Sequence, residues 1–368
     1  MDDVRRSLEE TYPAGASIPS DRALAEAWGV DRRTVARAVA LLVEGGRISA
    51  AGRNRVMRGE VEPLAIGLCM DNSVTDKDAS QAVGTGRFLI GRGLMRRLAE
   101  ATPVRNMLWC DGLNADPYDN VPAAKDLRDR RIGALAIWPT LPADEATVGR
   151  LRELRRAMPM VLLDRRIPGF ESDFVGFDDE AAGREIARHA LSLGHRRFAF
   201  YGWAVPETVH RRLQGVESVL MDAGTPLDSA RTVLVRGDVE VGRRFERLLE
   251  GPEMPTAVVC ANDFAAIALL SWLRERGISV PGQVAVLAIG NSFESVHEPL
   301  GLTTIAFSQE EVGRQAADLL LSRLDGTLGP GLLQAGQVEE RRVPGRLVVR
   351  RSCGAPSPNA SSHSVVLP

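Results

Sequence analysis

From residue 61 onward the chain alternates short, unbroken apolar runs with amphipathic stretches, and this pattern limits the fold more than any other feature. The runs are LAIGLCM (64–70), VRNMLWC (104–110), IGALAIW (132–138), MVLLD (160–164), RFAFYG (197–202), TAVVCA (256–261) and VAVLAIG (284–290). A strand that is apolar on every residue has both faces covered, and helices between such strands make βαβ units around a parallel sheet. Seven such runs are too many for one small sheet. The expected fold class is therefore α/β, with two doubly wound lobes.

The first 58 residues have a different texture, helical with one short ribbon. Residues 59–63 read as a polar linker in which Pro63 stops any helix. The expected domains are thus a head at 1–58, a linker at 59–63 and a two-lobed body at 64–350. A tail at 351–368, rich in Pro, Ser and Asn from Cys353 onward, is expected to be disordered.

Several function classes are set aside by what the sequence contains. The N-terminus MDDVRRSLEE is charged and unlike a secretory signal, and no run reaches the roughly 18 apolar residues of a membrane span. A soluble, cytoplasmic protein is expected. The cysteines Cys69, Cys260 and Cys110 sit in apolar runs, and with Cys353 they read as free thiols. The five histidines (His189, His195, His210, His297, His363) show no metal spacing, and no G-x-S-x-G elbow occurs. No metal, no cofactor and no enzymatic activity are expected. The Gly84-Thr85-Gly86-Arg87 stretch lacks both G-x-G-x-x-G and the Gly-Lys of a phosphate loop, and reads as a loop over a cleft.

Net charge is −2, so a nucleic-acid site must be a local patch. Such a patch exists in the head. Ser20 is a good N-cap for DRALAEAW, with Ala23, Leu24 and Ala27 as its apolar stripe. Gly29 breaks that helix. Asp31 caps RRTVARAVALLVE, whose buried face is Val35, Ala38, Val39 and Leu42, and Gly45-Gly46 end it. Two short helices joined by a tight turn form a helix-turn-helix, and the second helix enters the major groove. Between Arg32 and Arg58 there are seven arginines and one acid, Glu44. Arg32, Arg33 and Thr34 lie in the first turn of the second helix and Arg37 one turn on, placed for guanine edges and phosphates. Residues 47–49 and 56–57 are expected to pair around Gly52-Arg53-Asn54 as a wing.

The text IPSDRALAEAWGVDRRTVARAVALLVEGG (18–46), followed by the wing, resembles the head of the GntR family over most of residues 10–58. The resemblance implies DNA contacts by Arg22, Arg32 and Thr34. The family's arginine after Thr-Val is replaced here by Ala36, which implies a different operator.

Ligands of open α/β sheets bind beyond the carboxyl ends of the strands, which in a two-lobed protein face a cleft. That rule selects Asp71 and Asn72, Trp138, Asp164 and Arg165, Trp203, Asn262 and Asp263, and Asn291, with Arg212 from the helix-opening RRLQG stretch. Charged and amide groups around aromatic rings suit a polyhydroxy ligand. Asp178-Asp179 precedes a helix, so Asp179 reads as an N-cap rather than a catalytic acid. His195 follows Gly194 at a helix end and reads as structural.

The body is similar to the LacI/GalR effector domain, which has the periplasmic-binding-protein-like fold. The carrying text is MPMVLLDRR (158–166), DFVGFDDEAAGREIARHALSLGHRRFAFYG (173–202), RRLQGVESVLMDAG (211–224), PTAVVCANDFAAIALLSWLRERGISVPGQVAVLAIG (255–290) and LTTIAFSQEEVGRQAADLLLSRLDG (302–326). A GntR-type head on such a body is the combination of arabinose-repressor-type factors, and Gly91–Arg96 is similar to the xylose-regulator type. The resemblance implies that Arg212 holds an inducer. Asp263 matches an acidic position whose role, ligand contact or helix cap, stays open. The family's sugar-binding aspartate at the end of VAVLAIG is Gly290 here, which leaves Asn291 as the substitute and a non-sugar or vestigial pocket as the alternative. The whole implies a homodimeric repressor that binds a palindromic DNA operator and answers to a small molecule, expected to be a sugar.

Overall fold

The computed structural model describes residues 2–355 apart from 14, 45–47, 52–53, 58–64, 71–79, 102–106, 110–126, 128–131, 140–142, 204–206, 236–244, 247, 250–253, 293–300 and 325–337. The head contains α1 (Asp2–Thr11), α2 (Asp21–Trp28), α3 (Arg32–Glu44), β1 (Ile48–Ala51) and β2 (Asn54–Met57). Ser20 caps α2 by accepting from the Ala23 N–H at 3.3 Å. Gly29 ends α2 in the left-handed region, φ 65°, and Asp31 caps α3 through the Arg33 N–H at 2.8 Å. Leu24, Val35, Ala38, Val39 and Leu42 are buried with Val4, Leu8, Ile18, Ile48 and Met57. Ala23 and Ala27, expected on the stripe, are exposed, so the α2 stripe narrows to Leu24. The ribbon is longer than expected: β1 and β2 pair antiparallel from Ile48–Met57 to Ala51–Asn54. Residues 15–18 add a third, short edge through a Ser17–Val56 bridge. The expected helix stop Gly45-Gly46 lies outside the described residues.

The first lobe is built from β3 (Ala65–Met70), α4 (Ser80–Ala99), β4 (Met107–Trp109), β5 (Ile132–Trp138), α5 (Glu145–Ala157), β6 (Met160–Leu163) and β7 (Asp173–Phe177). The second contains α6 (Asp179–Ser192), β8 (Phe198–Trp203), α7 (Glu207–Asp222), β9 (Thr232–Val235), β10 (Ala257–Cys260), α8 (Asp263–Glu275), β11 (Ala285–Gly290) and β12 (Thr303–Ala306). The chain then returns to the first lobe with α9 (Gln309–Leu324) and β13 (Glu340–Val343), and ends in the second with β14 (Arg346–Val348). Sheet orders are β13-β7-β6-β5-β3-β4 and β14-β12-β11-β10-β8-β9, parallel throughout except for β14. In each lobe the order reverses beside the first strand, between β3 and β5 and between β8 and β10. Those are the points where a crevice opens. Every residue of β3, β6 and β10 is buried, as unbroken apolar runs require, and every residue of β7 and β12 is buried too, Asp173, Thr303 and Thr304 included.

Among the described residues, each lobe has one helix pair in backbone-close contact. A Cβ on Gly93 of α4 would overlap the Glu310 carbonyl of α9, and one on Gly313 would overlap the Ile90 carbonyl. Gly183 of α6 and Gly215 of α7 repeat this in the second lobe, against the carbonyls of Arg212 and Glu180. Buried Arg323 makes two 2.8 Å bonds to Asp173 and so ties α9 to the start of β7.

Two expectations are corrected. Gly84–Arg87 is not a loop but part of α4, which begins at Ser80. The tail does not begin at 351. Residues 351–353 form a 3-10 turn with Ser352 and Cys353 buried, because the Ser352 hydroxyl accepts from the Thr303 N–H and donates to the Val286 carbonyl. Among the described residues, no helix is long and apolar enough to cross a membrane.

Candidate functional site

The carboxyl ends of β5 and β6 in the first lobe and of β11 and β12 in the second gather charged and polar side chains, beside the switch points rather than on them. β6 runs into Asp164, which stands at φ +62° as the centre of a tight turn closed by the Arg165 N–H on the Leu163 carbonyl, 2.6 Å away. A non-glycine residue there is strained, and aspartate is among the few that tolerate it. Backbone strain of this kind concentrates where a side chain must be aimed. Arg165 lies 3.8 Å from the Asp164 carboxylate and 5.7 Å from the ring centroid of Trp138, the last residue of β5. Across from them stands Arg212 of α7. Its Nε donates to Asp179 Oδ1 at 2.7 Å and its Nη1 to the Ala261 carbonyl at 2.6 Å. Asp164 and Asp179 both feel the Arg212 charge. The first lobe's Trp138, Asp164 and Arg165 thus meet the second lobe's Asp179 and Arg212.

Burial dominates the electrostatics of this cluster. It raises Asp164 above the ordinary carboxylate range, against the pull of Arg165 and Arg212. It pushes Asp179 up to about 6, with Arg212 opposing and Asp164 reinforcing. Arg212 is bonded to Asp179 and its charge also reaches Asp164, so at both carboxyls burial and the guanidinium pull in opposite directions.

A second cluster lies at the ends of β11 and β12. Asp263 accepts from the Thr304 hydroxyl at 2.8 Å and from the Ser292 N–H. Gly290 stands at φ +153°, and a Cβ there would come within 3.0 Å of Asp263 Oδ2. The Asp263 carboxylate therefore fills the space beside the missing side chain. Asn291 follows at φ +57°. Its Oδ1 accepts from Arg350 at 2.7 Å, and its N–H meets the Thr304 hydroxyl at 3.3 Å. The amide oxygen expected to serve a ligand is thus engaged by Arg350.

One capping assignment changes, and one choice left open is narrowed. The N-cap of α6 is Asp178, which accepts from the Ala181 N–H at 3.0 Å; Asp179 is the buried partner of Arg212. The N-cap of α8 is Asn262, through the Ala265 N–H at 2.9 Å, so Asp263 is not the cap. His195 is structural, its Nδ1 meeting the Thr256 hydroxyl at 3.1 Å. Asp71 lies outside the described residues, and of Trp203 only the backbone, ending β8, is described.

On the head, Arg32, Arg33 and Arg37 are exposed along α3, with Thr34 half-buried in its first turn. Arg22 is exposed on α2 and pairs with Glu26 at 3.0 Å. Arg55, counted with the positive patch, is instead half-buried in an ion pair with Asp21 that joins β2 to α2. Asn54 opens β2 opposite Ala51, while Gly52 and Arg53 lie outside the described residues.

Asp179, Thr304 and Arg350 were not singled out from sequence as parts of a site. A signal existed for the first. Asp179 shares the i, i+3, i+4, i+7 stripe of Ala182, Gly183 and Ile186, all buried. A charge on a buried stripe needs a partner, and Arg212, on the matching stripe of α7 with Val209, Leu213 and Val216, supplies it.

Residues 187–353 match the family described as periplasmic binding protein-like domain. The HTH-type transcriptional regulator DegA of Bacillus subtilis is 27% identical over 337 residues, 89% of this chain and 96% of that protein. The HTH-type transcriptional repressor CytR of Escherichia coli is 32% identical over 200 residues, 53% of this chain and 56% of that protein. Among solved structures, a LacI family transcriptional regulator from Enterococcus faecium with bound ribose matches with a TM-score of 0.58 at 26% identity, covering 78% of this chain and 98% of the other.

Proposed function

We propose that this chain, whose body is of the periplasmic-binding-protein-like kind found in LacI/GalR transcriptional regulators, is a DNA-binding repressor controlled by a small molecule held between its lobes. The observation that carries the reading is the union of two features in one chain. One is a helix-turn-helix with Arg32, Arg33 and Arg37 turned outward. The other is a two-lobed body whose strand ends bring Trp138, Asp164 and Arg212 together. The head, with its hairpin after α3, is of the GntR-type winged form, and Arg22, Arg32, Arg33, Thr34 and Arg37 are its DNA contacts, with Gly52, Arg53 and Asn54 at the wing. The effector is a neutral sugar or sugar derivative. Trp138 packs its C–H face, and Asp164 and Arg212 bond its hydroxyls. Such a protein acts as a homodimer on a palindromic operator in the cytoplasm, since two-fold symmetry in the protein demands it in the site. Effector binding changes the lobe angle and so the separation of the heads, which requires unequal affinity for the two states.

A second reading has its own support. Asp263 and Asn291 are engaged within the protein and Gly290 carries no side chain. The second-lobe rim then offers a sugar few free acceptors, which favours a non-sugar effector or a vestigial pocket.

The test is selection of genomic fragments by the purified protein, with and without a panel of pentoses and hexoses. Enrichment of one palindrome that one sugar abolishes supports the main reading. Enrichment that no sugar alters supports the second, and no enrichment removes both.

A further inference from the structure

The chain crosses between the lobes three times, after Phe177, after Phe307 and at Pro344-Gly345, and the crossings meet at one point. The rings of Phe177 and Phe307 stack with centroids 4.4 Å apart and planes 25° apart. Gly345 lies against the same ring, since a Cβ on it would sit 2.9 and 3.1 Å from Phe307 ring carbons. The first and third crossings are also hydrogen-bonded. The Asp178 N–H donates to the Val343 carbonyl at 2.9 Å, and Arg342 donates to the Phe177 carbonyl at 3.2 Å. Phe307 therefore touches both other crossings, and both phenylalanines are buried. The Arg212 guanidinium, bonded to Asp179, lies 5.6 Å from the centroid of the same Phe307 ring.

From this geometry we infer that Phe307 is the hinge pin of the body, a positioning residue that links Arg212 to the angle between the lobes. Hinge motion is absorbed by a few residues at element ends, which is where all three crossings lie. Two stacked rings can slide over one another while keeping contact, but they resist separation. Any displacement of Arg212 changes what the Phe307 ring packs against, and the ring passes that change to both other crossings. The purpose of such a link rests on the proposed sensing site; its existence does not, and it can be tested without an effector.

The experiment is pulsed electron–electron double resonance on the full chain, with spin labels at Glu153→Cys on α5 and Met221→Cys on α7, both exposed. The background carries Cys110→Ser; Cys69, Cys260 and Cys353 are buried. With the labelled chain diluted in excess unlabelled chain, so that a dimer carries at most one labelled copy, a single narrow inter-lobe distance distribution is expected for the parent, a broader or shifted one for Phe307→Leu, and return to the narrow form for Phe307→Tyr, which keeps the stacking face. If Phe307→Leu does not fold, Phe307→Met is read in its place. A Leu or Met variant that melts at a lower temperature but keeps the parent distribution makes the ring merely structural and overturns the inference.

Discussion

Arg212 of α7 and Asp179 of α6 are bonded at 2.7 Å with side chains 11% and 2% exposed, a buried ion pair set on the face where the two helices touch through Gly183 and Gly215. The proposed effector-holding arginine is thus also a structural one. Removing one member of a buried pair leaves the other charge without compensation, typically at a cost of about 3–5 kcal/mol. Arg212→Ala should therefore lower stability by that order in urea unfolding, before any effect on sensing is read. A double variant, Arg212→Met with Asp179→Leu, should recover most of the loss. An Arg212→Ala protein as stable as the parent would mean that the pair is not formed.

The same pair predicts a pH dependence. Burial holds Asp179 at about 6, whereas an aspartate in the unfolded chain releases its proton near its ordinary value of 3.8. Between those values the native state binds more protons than the unfolded state, so lowering the pH favours folding through this group. The contribution is complete below the unfolded value and is lost as pH rises through about 6. Asp179→Asn keeps an acceptor for Arg212 and cannot ionise. The stability of Asp179→Asn relative to the parent should therefore increase from pH 5 to pH 7.5. A difference that stays constant over that range would show that the carboxyl does not titrate there.

Close helix crossings give a third prediction with a control in the same chain. Gly183→Ala places a methyl group on the Arg212 carbonyl, and overpacking of this kind costs about 1–3 kcal/mol. Gly149→Ala on α5 meets nothing within 4 Å and should be neutral or stabilising by about 0.5–1 kcal/mol. Melting temperatures moving in opposite directions would confirm the crossing; equal shifts would dismiss it.

These cases show where the sequence is readable. Unbroken apolar runs mark β3, β5, β6, β8, β10 and β11 because a strand covered on both faces has no choice of composition. β9, β13 and β14 escape that signal because they are only partly buried, and ERRV of β13 carries three charges in four residues. Caps are harder still. Asp178 and Asp179 have the same side chain one residue apart, and only the buried stripe of α6 separates the cap from the ion-pair partner. The terminus at 351–355 misleads for another reason. Composition argued for disorder, but two hydrogen bonds from one serine hydroxyl outweigh composition.

In the head, Arg32 and Arg55 should separate by mechanism. Arg32 is exposed in the first turn of α3, and Arg32→Ala should cost about 1–3 kcal/mol of operator binding with relaxed base preference. Arg55 holds Asp21, and Arg55→Ala should loosen the ribbon from α2 and lower head stability without changing base preference. Binding isotherms on matched and mismatched operators, together with thermal melts, distinguish the two. The same loss of preference from both variants would assign Arg55 to the DNA as well.

The C-terminal segment gives the last prediction. Ser352 is fully buried, and its hydroxyl is the partner of both the Thr303 N–H, at 2.8 Å, and the Val286 carbonyl, at 2.6 Å. Arg350 adds bonds to the Leu302 carbonyl and to Asn291. A buried donor left without a partner costs about 1–3 kcal/mol. Ser352→Ala should therefore destabilise the body by that order, and Ser352→Cys should not restore it, because a thiol is a weak acceptor for the Thr303 N–H. Ending the chain after Val349 should cost more, since it also frees Asn291 beside Gly290. If the proposed rim is where an effector sits, that truncation should change effector affinity while Ser352→Ala leaves it intact. Urea unfolding and ligand titration of the two variants measure this directly, and identical affinities in both would place the rim outside the binding site.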